Sequence, residues 1–409
     1  MVQPWLSDKW WVSPLNFVDE VRSQLKLPEK VFIHDITLRD GEQQAGLTFN
    51  KQDKIEIAKM LDEVGVHRIE AGMPAVSNED KEAIKAITRM GLNAKIFCFA
   101  RCMKRDVDLA LDCGVDGIEM EIPSSEHLIK YAYDWPLEKA IELSVEATSY
   151  AAQHGLHVSF FTIDGTRADL NWWFKIVNRV ATEGHMDSLV LVDTFGVCNP
   201  EAIRYLTRKV RQRFSTPVEV HFHNDFGLAV ANTLAAVTEG AEIIHTTVNG
   251  IGERMGNADL AETALALEAL YGLKLDLDYS KLYNLSKLVE KLSGIKMPPH
   301  KPVVGDGAYK VESGIIVGWW RNLEKQNKPL VMFPYHWSLV GQKNIEILLG
   351  KKSGRDSILY KLEKMRVDPV TIDVDKVLED VKTESIKRKS PIPDEIFKQI
   401  VEKHRKTFQ

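Results

Sequence analysis

Two polar clusters stand out, each at the end of an apolar, β-rich run. The first, His34 to Gln43, follows Val31-Phe32-Ile33 and holds Asp35, Arg39, Asp40, Glu42 and Gln43. The second, His221-Phe222-His223-Asn224-Asp225, follows Val218-Glu219-Val220 much later in the chain. Residues two apart on a strand point to one face, so His221 and His223 present their imidazoles together. With a carboxylate from another strand end, for which Asp40 is the candidate, they form a nitrogen and oxygen site for a divalent metal. Asn257, in Gly-Glu-Arg-Met-Gly-Asn, is a candidate fourth ligand, with water or substrate completing the shell. This donor set suits Mn, Mg, Zn or Co and does not choose among them. Such an ion polarises a carbonyl or an α-hydroxy acid as a Lewis acid. Arg39 beside it can stabilise a developing enolate or alkoxide oxygen, and Thr194 can hydrogen-bond a substrate carboxylate. The chemistry implied is the making or breaking of a carbon–carbon bond next to a carbonyl.

Those residues need a scaffold. Short apolar runs at 31–36, 67–72, 94–99, 117–122, 157–163, 187–192, 217–223 and 242–248 alternate with helical patterns such as 51–64, 137–153, 200–214, 228–239 and 260–271. Gly65, Gly91, Gly114, Gly155, Gly184 and Gly240 each follow a helical segment, as C-terminal caps do. This repetition predicts an α/β fold, a (β/α)8 TIM barrel. A doubly wound open sheet would also alternate, but no GxGxxG phosphate loop accompanies the strands. In such a barrel chemistry sits at the C-terminal strand ends, and Arg39, Asp40, Glu70, Asp193, Thr194, His221, His223 and Asn257 all fall there. The expected division is an N-terminal arm at 1–30 with one helix near 17–25, a barrel domain at 31–283, and a C-terminal helical subdomain at 284–409. A Pro/Gly-rich connector (297–307) separates a helical pattern at 280–293 from charged amphipathic helices at 353–366, 374–386 and 393–405.

Composition narrows the function classes. The 409 residues are 44% hydrophobic and 27% charged with net charge −5, so no global basic field attracts nucleic acid. No apolar run of about 18 residues and no secretory leader pattern is seen, so no membrane association is expected. Four cysteines without zinc spacing suggest a reduced, cytoplasmic protein with buried thiols. Trp5, Trp10 and Trp11 are expected to pack on a surface or a second subunit. Other polar residues have ordinary readings: His67, His157 and His245 as satisfied core or rim residues, Asp35 as a hydrogen bonder in the barrel floor, Glu253 and Arg254 as an ion pair holding a loop, and the C-terminal charge runs as solvated faces.

The stretches LRDGEQ (38–43), IEAGMPA (69–75), DTFG (193–196), HFHND (221–225) and GERMGN (252–257) together resemble the DRE-TIM metallolyase superfamily, in register over residues 31–275. A weaker likeness at 301–315 and 350–356 extends to the C-terminal subdomains of its Claisen-condensing branch, the 2-isopropylmalate and homocitrate synthases. The resemblance implies that Asp40, His221 and His223 bind the metal with Asn257 nearby or ligating, and that Arg39 is the catalytic arginine. It implies that Gln43 and Thr194 contact the oxo-acid end of the substrate, and that Asp193 matches an aspartate catalytic in the lyases. It further implies condensation of an acyl-CoA with a 2-oxo acid, and a homodimer. The chain ends before the regulatory domain of the longer synthases, so feedback through such a domain is not expected.

Departures from the pattern carry equal weight. Where the condensing enzymes place a glutamate on strand five, this chain has Ile163; where they place a histidine in the C-terminal subdomain, it has Ile316. Isoleucine cannot move a proton. The paired change predicts that the two side chains pack together, and Tyr335 and His336 are candidates to supply the missing base. Ser159 replaces the arginine with which homocitrate synthases meet a second carboxylate, which argues against 2-oxoglutarate. The loop 250–257 lacks the reactive cysteine of the lyases. The leading expectation is a divalent-metal-dependent, 2-isopropylmalate synthase-like acyltransferase. The alternatives are a lyase or aldolase cleaving a 2-hydroxy acid or its CoA ester, which forms its enolate without proton abstraction, and a non-catalytic metal-binding paralogue.

Overall fold

In the computed structural model, which describes residues 3–406, eight parallel strands close on themselves. They are β1 (Phe32–Asp35), β2 (Arg68–Glu70), β3 (Lys95–Arg101), β4 (Gly117–Pro123), β5 (His157–Ile163), β6 (Ser188–Asp193), β7 (Val218–Phe222) and β8 (Ile243–Thr246). Each pairs with the next, and β8 returns to β1 with Phe32 opposite Ile243 and Asp35 opposite Thr246. Every apolar run singled out above forms one of these strands, as a parallel strand covered on both faces is rich in apolar residues.

The helices follow the same logic. Lys51–Val64, Leu137–Gln153 and Leu260–Tyr271 span the ranges expected from their periodicity, while Pro200–Arg211 and Ala229–Val237 are shorter. Asn50 and Asp53 close a reciprocal capping box at the start of Lys51–Val64, satisfying two backbone donors the first turn would otherwise orphan. Gly65, Gly91, Gly114, Gly155 and Gly240 have positive φ at their helix ends. Gly184 does not: its φ is −103°, and a Cβ there would lie 2.6 Å from Thr148 Oγ1. At this position close approach of a neighbouring helix, not handedness, requires glycine.

By contacts the described residues divide into two compact units, Pro14–Met297 and residues 3–13 with 298–406. In the first, the predicted helix near 17–25 is a 3₁₀ turn (Pro14–Phe17) and a single α turn (Asp19–Arg22). Arg22 Nη1 donates to the Tyr271 carbonyl at 2.6 Å, and the helix Leu282–Ser293 is tied to the barrel by Asn249 Nδ2 donating to the Ser286 carbonyl at 3.0 Å. In the second unit, helices Gly314–Lys325, Arg355–Lys364, Val374–Arg388 and Asp394–Lys403 are joined by an unexpected feature, the two-stranded parallel ribbon β9 (Lys310–Val311) and β10 (Glu346–Ile347). Leu362, Val377, Val381, Phe397 and Val401 form one apolar cluster there; Val317, Trp320, Ile347 and Tyr360 form another, with Ile316 against it. The tryptophan-rich start lies on a surface of its own chain: Trp11 N donates to the Pro334 carbonyl at 2.9 Å, and His336 N to the Lys9 carbonyl at 2.8 Å. Among the described residues, no helix is long and apolar enough to cross a membrane. All four cysteines are free thiols, and Cys98, Cys102 and Cys113 are buried.

One buried cation holds the first polar cluster in place. Lys54, on the inner face of Lys51–Val64, donates from Nζ to the Leu38 carbonyl at 3.0 Å and pairs with Glu42 Oε2 at 2.7 Å and with Asp80. It thereby ties the turn after β1 to the helix that follows β2. Lys54→Met removes a buried partner from two carboxylates and leaves a carbonyl unsatisfied. It is expected to destabilise the protein by about 3 kcal/mol, measured by urea unfolding.

Candidate metal centre and active site

Past β1 the chain turns sharply. Thr37 N donates to Asp35 Oδ1 at 3.0 Å, so Asp35 braces this turn at the C-terminal end of the strand, not the barrel floor. Burial pushes the Asp35 carboxyl up to about 7, with the Thr37 hydrogen bonds pulling the other way. The turn delivers Arg39 and Asp40 to the mouth.

Asp40 is buried, with Oδ2 3.7 Å from His221 Nε2 and 3.8 Å from His223 Nε2. The two Nε2 atoms are 3.2 Å apart. Asn257 Nδ2 donates to Asp40 Oδ1 at 2.7 Å. Burial pushes the Asp40 carboxyl up, but His223, Arg39 and Asn257 overcome it and hold the group below its ordinary value. Burial, with the neighbouring His223, His245 and Arg39, holds His221 well below the usual imidazole range, so its ring is neutral and has a lone pair to offer. Thus the far-separated carboxylate and imidazole pair expected from the sequence do converge, and Asn257 joins them.

This set fits a divalent cation. Two imidazole nitrogens facing each other at 3.2 Å cannot both carry a proton. Asn257 Oδ1 and His223 Nδ1 are buried without a hydrogen-bond partner. Adjacent ligands on a tetrahedral ion with bonds of about 2.0–2.1 Å stand roughly 3.3–3.4 Å apart, close to the separations here. Ligation by Asn257 would use Oδ1, whereas its amide nitrogen faces Asp40 in this arrangement.

Arg39 is held at the centre of a web of carboxylates. Its Nε donates to Glu70 Oε2 at 2.6 Å and its Nη1 to Asp40 Oδ2 at 2.9 Å and Gln43 Oε1 at 3.2 Å; Nη2 lies 3.6 Å from Glu119 Oε2. The guanidinium stacks over Phe99 at 4.0 Å. Burial works against its charge, but Glu70, Asp40 and Glu119 outweigh it and keep the arginine firmly protonated. Burial lifts Glu70 to about 7 against the pull of Arg39. Gln43, the expected contact to the oxo-acid end of the substrate, is thus in contact with Arg39.

Asp193 ends β6 and Thr194 follows it. Asp193 Oδ1 accepts from Thr166 Oγ1 and Oδ2 from Cys198 N, both at 2.9 Å, and Thr194 Oγ1 accepts from Asp164 N at 2.8 Å. These bonds organise the loops after β5 and β6 and leave the Thr194 proton free to donate. The expected Glu253–Arg254 pair is 3.6 Å long; Arg254 instead forks onto Asp225 at 2.9 and 3.1 Å and reaches the Thr194 carbonyl. His67 and His157 are half-buried rim residues; His67 Nδ1 accepts from Ile33 N at 3.0 Å. His245 is fully buried, 2.9 Å from Glu219 and 3.3 Å from His221.

Ile163 belongs to an apolar wall with Phe99, Phe161, Val190, Val192 and Met73. Ile316 is housed in the apolar cluster of its own unit. In that unit the His336 ring stacks on Trp337 at 3.9 Å and bonds Ser338 Oγ at 2.7 Å. The sequence reading passed over Glu119 and Glu121. The signal was there in Gly-Ile-Glu-Met-Glu-Ile, since glutamates two apart on β4 share one face, the inward one. Burial raises the Glu121 carboxyl to about 7, with Arg39 and Arg101 opposing.

Fold and site together define a class: (β/α)8 proteins with a buried carboxylate, imidazole and amide centre beside an arginine at the C-terminal strand ends. Within it, residues 30–289 match the model of the HMGL-like family, and the chain belongs to that family. It is 43% identical over 366 residues, covering 90% of each chain, to homocitrate synthase AksA of Methanopyrus kandleri. It is 44% identical over 357 residues to a probable 2-isopropylmalate synthase of Ignicoccus hospitalis, covering 87% of this chain and 88% of that one. The HMG-CoA lyase of Bacillus subtilis shares the fold, with a TM-score of 0.61 at 20% identity, over 67% of this chain and 97% of that one.

Gly252 tests the centre. Its φ is +152°, and a Cβ there would fall on Asn257 Nδ2 and 2.8 Å from Asp40 Oδ1. Gly252→Ala is expected to lower divalent-ion affinity at the Asp40 centre by at least about tenfold with the fold retained, read by calorimetric titration with Mn²⁺ and circular dichroism.

Proposed function

We propose that this protein condenses an acyl-CoA with a 2-oxo acid, converting the acyl group to an alkyl group on transfer, with water then cleaving the thioester to release CoA as the free thiol. The observation that carries this reading is the convergence of Asp40, His221, His223 and Asn257 next to Arg39 in a chain that matches synthases along most of their length. Asp40, His221 and His223 hold the ion, with Asn257 as fourth ligand; Mn, Mg, Zn and Co all suit this donor set. When bound, the ion supplies Lewis acidity toward the carbonyl and carboxylate of the oxo acid. Gln43 keeps Arg39 aimed at the oxygen on which charge develops as the carbonyl is attacked. The Thr194 hydroxyl donates to the substrate carboxylate, and Asp193 keeps that loop in place.

The acceptor side chain meets the wall of Met73, Phe99, Phe161 and Ile163, which favours an apolar group. Ser159, at the position where an arginine would receive a second carboxylate, donates instead to Glu219 at 2.8 Å. The two synthase relatives carry different names at nearly equal identity, so similarity does not select the acceptor. Free thiols support a reducing, cytoplasmic setting, and the family resemblance supports a homodimer and the division into a barrel domain and a C-terminal subdomain.

Condensation requires that a proton leave the carbon next to the thioester, and Ile163 cannot take it. Glu121 is the inward carboxylate one strand away, opposite Phe161 in the β4–β5 register. It is assigned here as the base. The expected results are two. With Mn²⁺ or Mg²⁺ and acetyl-CoA, a panel of 2-oxo acids gives free CoA thiol, fastest with short apolar side chains; no thiol with any acceptor removes this function. Glu121→Gln lowers kcat by about a hundredfold or more while leaving KM for the oxo acid within a few-fold; an unchanged kcat returns the base to another residue. The apolar residue at 163 also favours a second reading, cleavage of a 2-hydroxy acid or its CoA ester. Release of a 2-oxo acid from such compounds, with no condensation in the forward assay, selects it.

A further inference from the structure

Beneath the Asp40 centre the barrel holds a second group of ligating side chains: His34 on β1, Glu119 on β4, Glu219 on β7 and His245 on β8. All four are fully enclosed, with exposures of 0–1%. His34 Nδ1 lies 3.4 Å from Glu119 Oε1 and 3.7 Å from Glu219 Oε2. His245 Nε2 lies 3.3 Å from Glu119 Oε1 and 2.9 Å from Glu219 Oε2. Four donors from four strands therefore face one point on the barrel axis.

Their bonding is incomplete as it stands. Both ring nitrogens of His34 and both oxygens of Glu119 are buried without a hydrogen bond. Buried polar groups almost always make good hydrogen bonds, and a carboxylate and an imidazole that only approach one another at 3.4 Å need an explanation. Elsewhere the site is braced. The far oxygen of Glu219 accepts from Arg68 Nη1 at 2.9 Å, from Ser159 Oγ at 2.8 Å and from Ser188 Oγ. That is the outer support a ligating carboxylate requires.

We propose that His34, Glu119, Glu219 and His245 bind a second divalent cation, distinct from the one at Asp40. Two imidazoles and two carboxylates, with neighbouring donors 2.9–3.7 Å apart, suit a four-coordinate ion whose ligands stand roughly 3.3–3.4 Å from one another. The imidazoles favour Zn²⁺, with Co²⁺, Fe²⁺ and Mn²⁺ as related candidates, over Mg²⁺ or Ca²⁺. Binding displaces the proton that His245 Nε2 shares with Glu219. The two sites also touch, because His245 Nδ1 is 3.3 Å from His221 Nδ1. The inner ion has no route to substrate through these four side chains, so it acts by charge: it neutralises the carboxylates behind Arg39 and fixes the ring of His221.

The test uses the full chain, stripped with a chelator and titrated with Zn²⁺ by calorimetry, with metal counted by elemental analysis. Wild type is expected to take up two equivalents. His34→Phe and Glu119→Gln should each lose one and keep the other, and Asp40→Asn should lose the opposite one. Crystals of wild type soaked in Zn²⁺ should show an anomalous peak among the four side chains, a readout that does not depend on any variant folding. A single equivalent in wild type, lost entirely in Asp40→Asn, with no anomalous peak in the inner group, overturns the proposal and makes the four residues a hydrogen-bonded support for His221. Since neither measurement involves turnover, the inner site stands or falls independently of the proposed condensation.

Discussion

Everything at the mouth of this barrel depends on keeping one guanidinium charged out of water. Arg39 is 7% exposed, and its desolvation is offset by Glu70 at 2.6 Å, Asp40 at 2.9 Å and the nearby Glu119, with the ring of Phe99 beneath it. A buried charge with that many partners is costly to disturb by removing any one of them. The same contacts fix the position of Asp40, since its Oδ2 faces Arg39 on one side and both histidines on the other. The candidate ion site and the Arg39 guanidinium thus share a single carboxylate, and neither can be repositioned alone.

This constraint explains why the barrel interior departs from the usual filling of branched apolar side chains. His34, Glu119, Ser159, Ser188, Glu219 and His245 make a buried polar layer where Val, Ile and Leu are ordinarily found. Glu219 shows how that layer is sustained: burial pushes its carboxyl up, but the hydrogen bond with His245, the nearby His34 ring and the charge of Arg68 hold it well below the usual range. Apolar contacts are displaced outward, to the strand faces under the helices and to the wall around Phe161.

Much of this was legible in the sequence because the period of a strand is so short. His221 and His223 had to share a face, and the eight apolar runs placed them and Asp40 at the same end of one barrel. The helix ends were readable where a side chain caps them, as Asn50 does, and less so where tertiary packing stops the helix, as after Val237. What stayed hidden were residues whose roles come only from the far side of the barrel. His245 looks like any core histidine until β1 and β7 bring His34 and Glu219 against it. Lys54 sits in an ordinary amphipathic pattern, and nothing local shows that it points inward to a carbonyl sixteen residues back. Asp35 reads as a floor residue because strand direction alone does not reveal where the turn begins. The ribbon of β9 and β10 is too short for any pattern to announce it.

The seam of the barrel carries one more implication. The first strand and the last are zipped together, and the Asp40 centre draws one donor from just after β1, its imidazoles from the end of β7 and the residue past it, and its amide from the loop past β8. A nascent chain possesses the aspartate long before it possesses the rest, and the gap between them, Asp40 to Asn257, is among the longest loops this domain has to close. The candidate site is therefore a report of completion: its donors come together only when the circle has shut, and an ion held there would act as a clasp across the join.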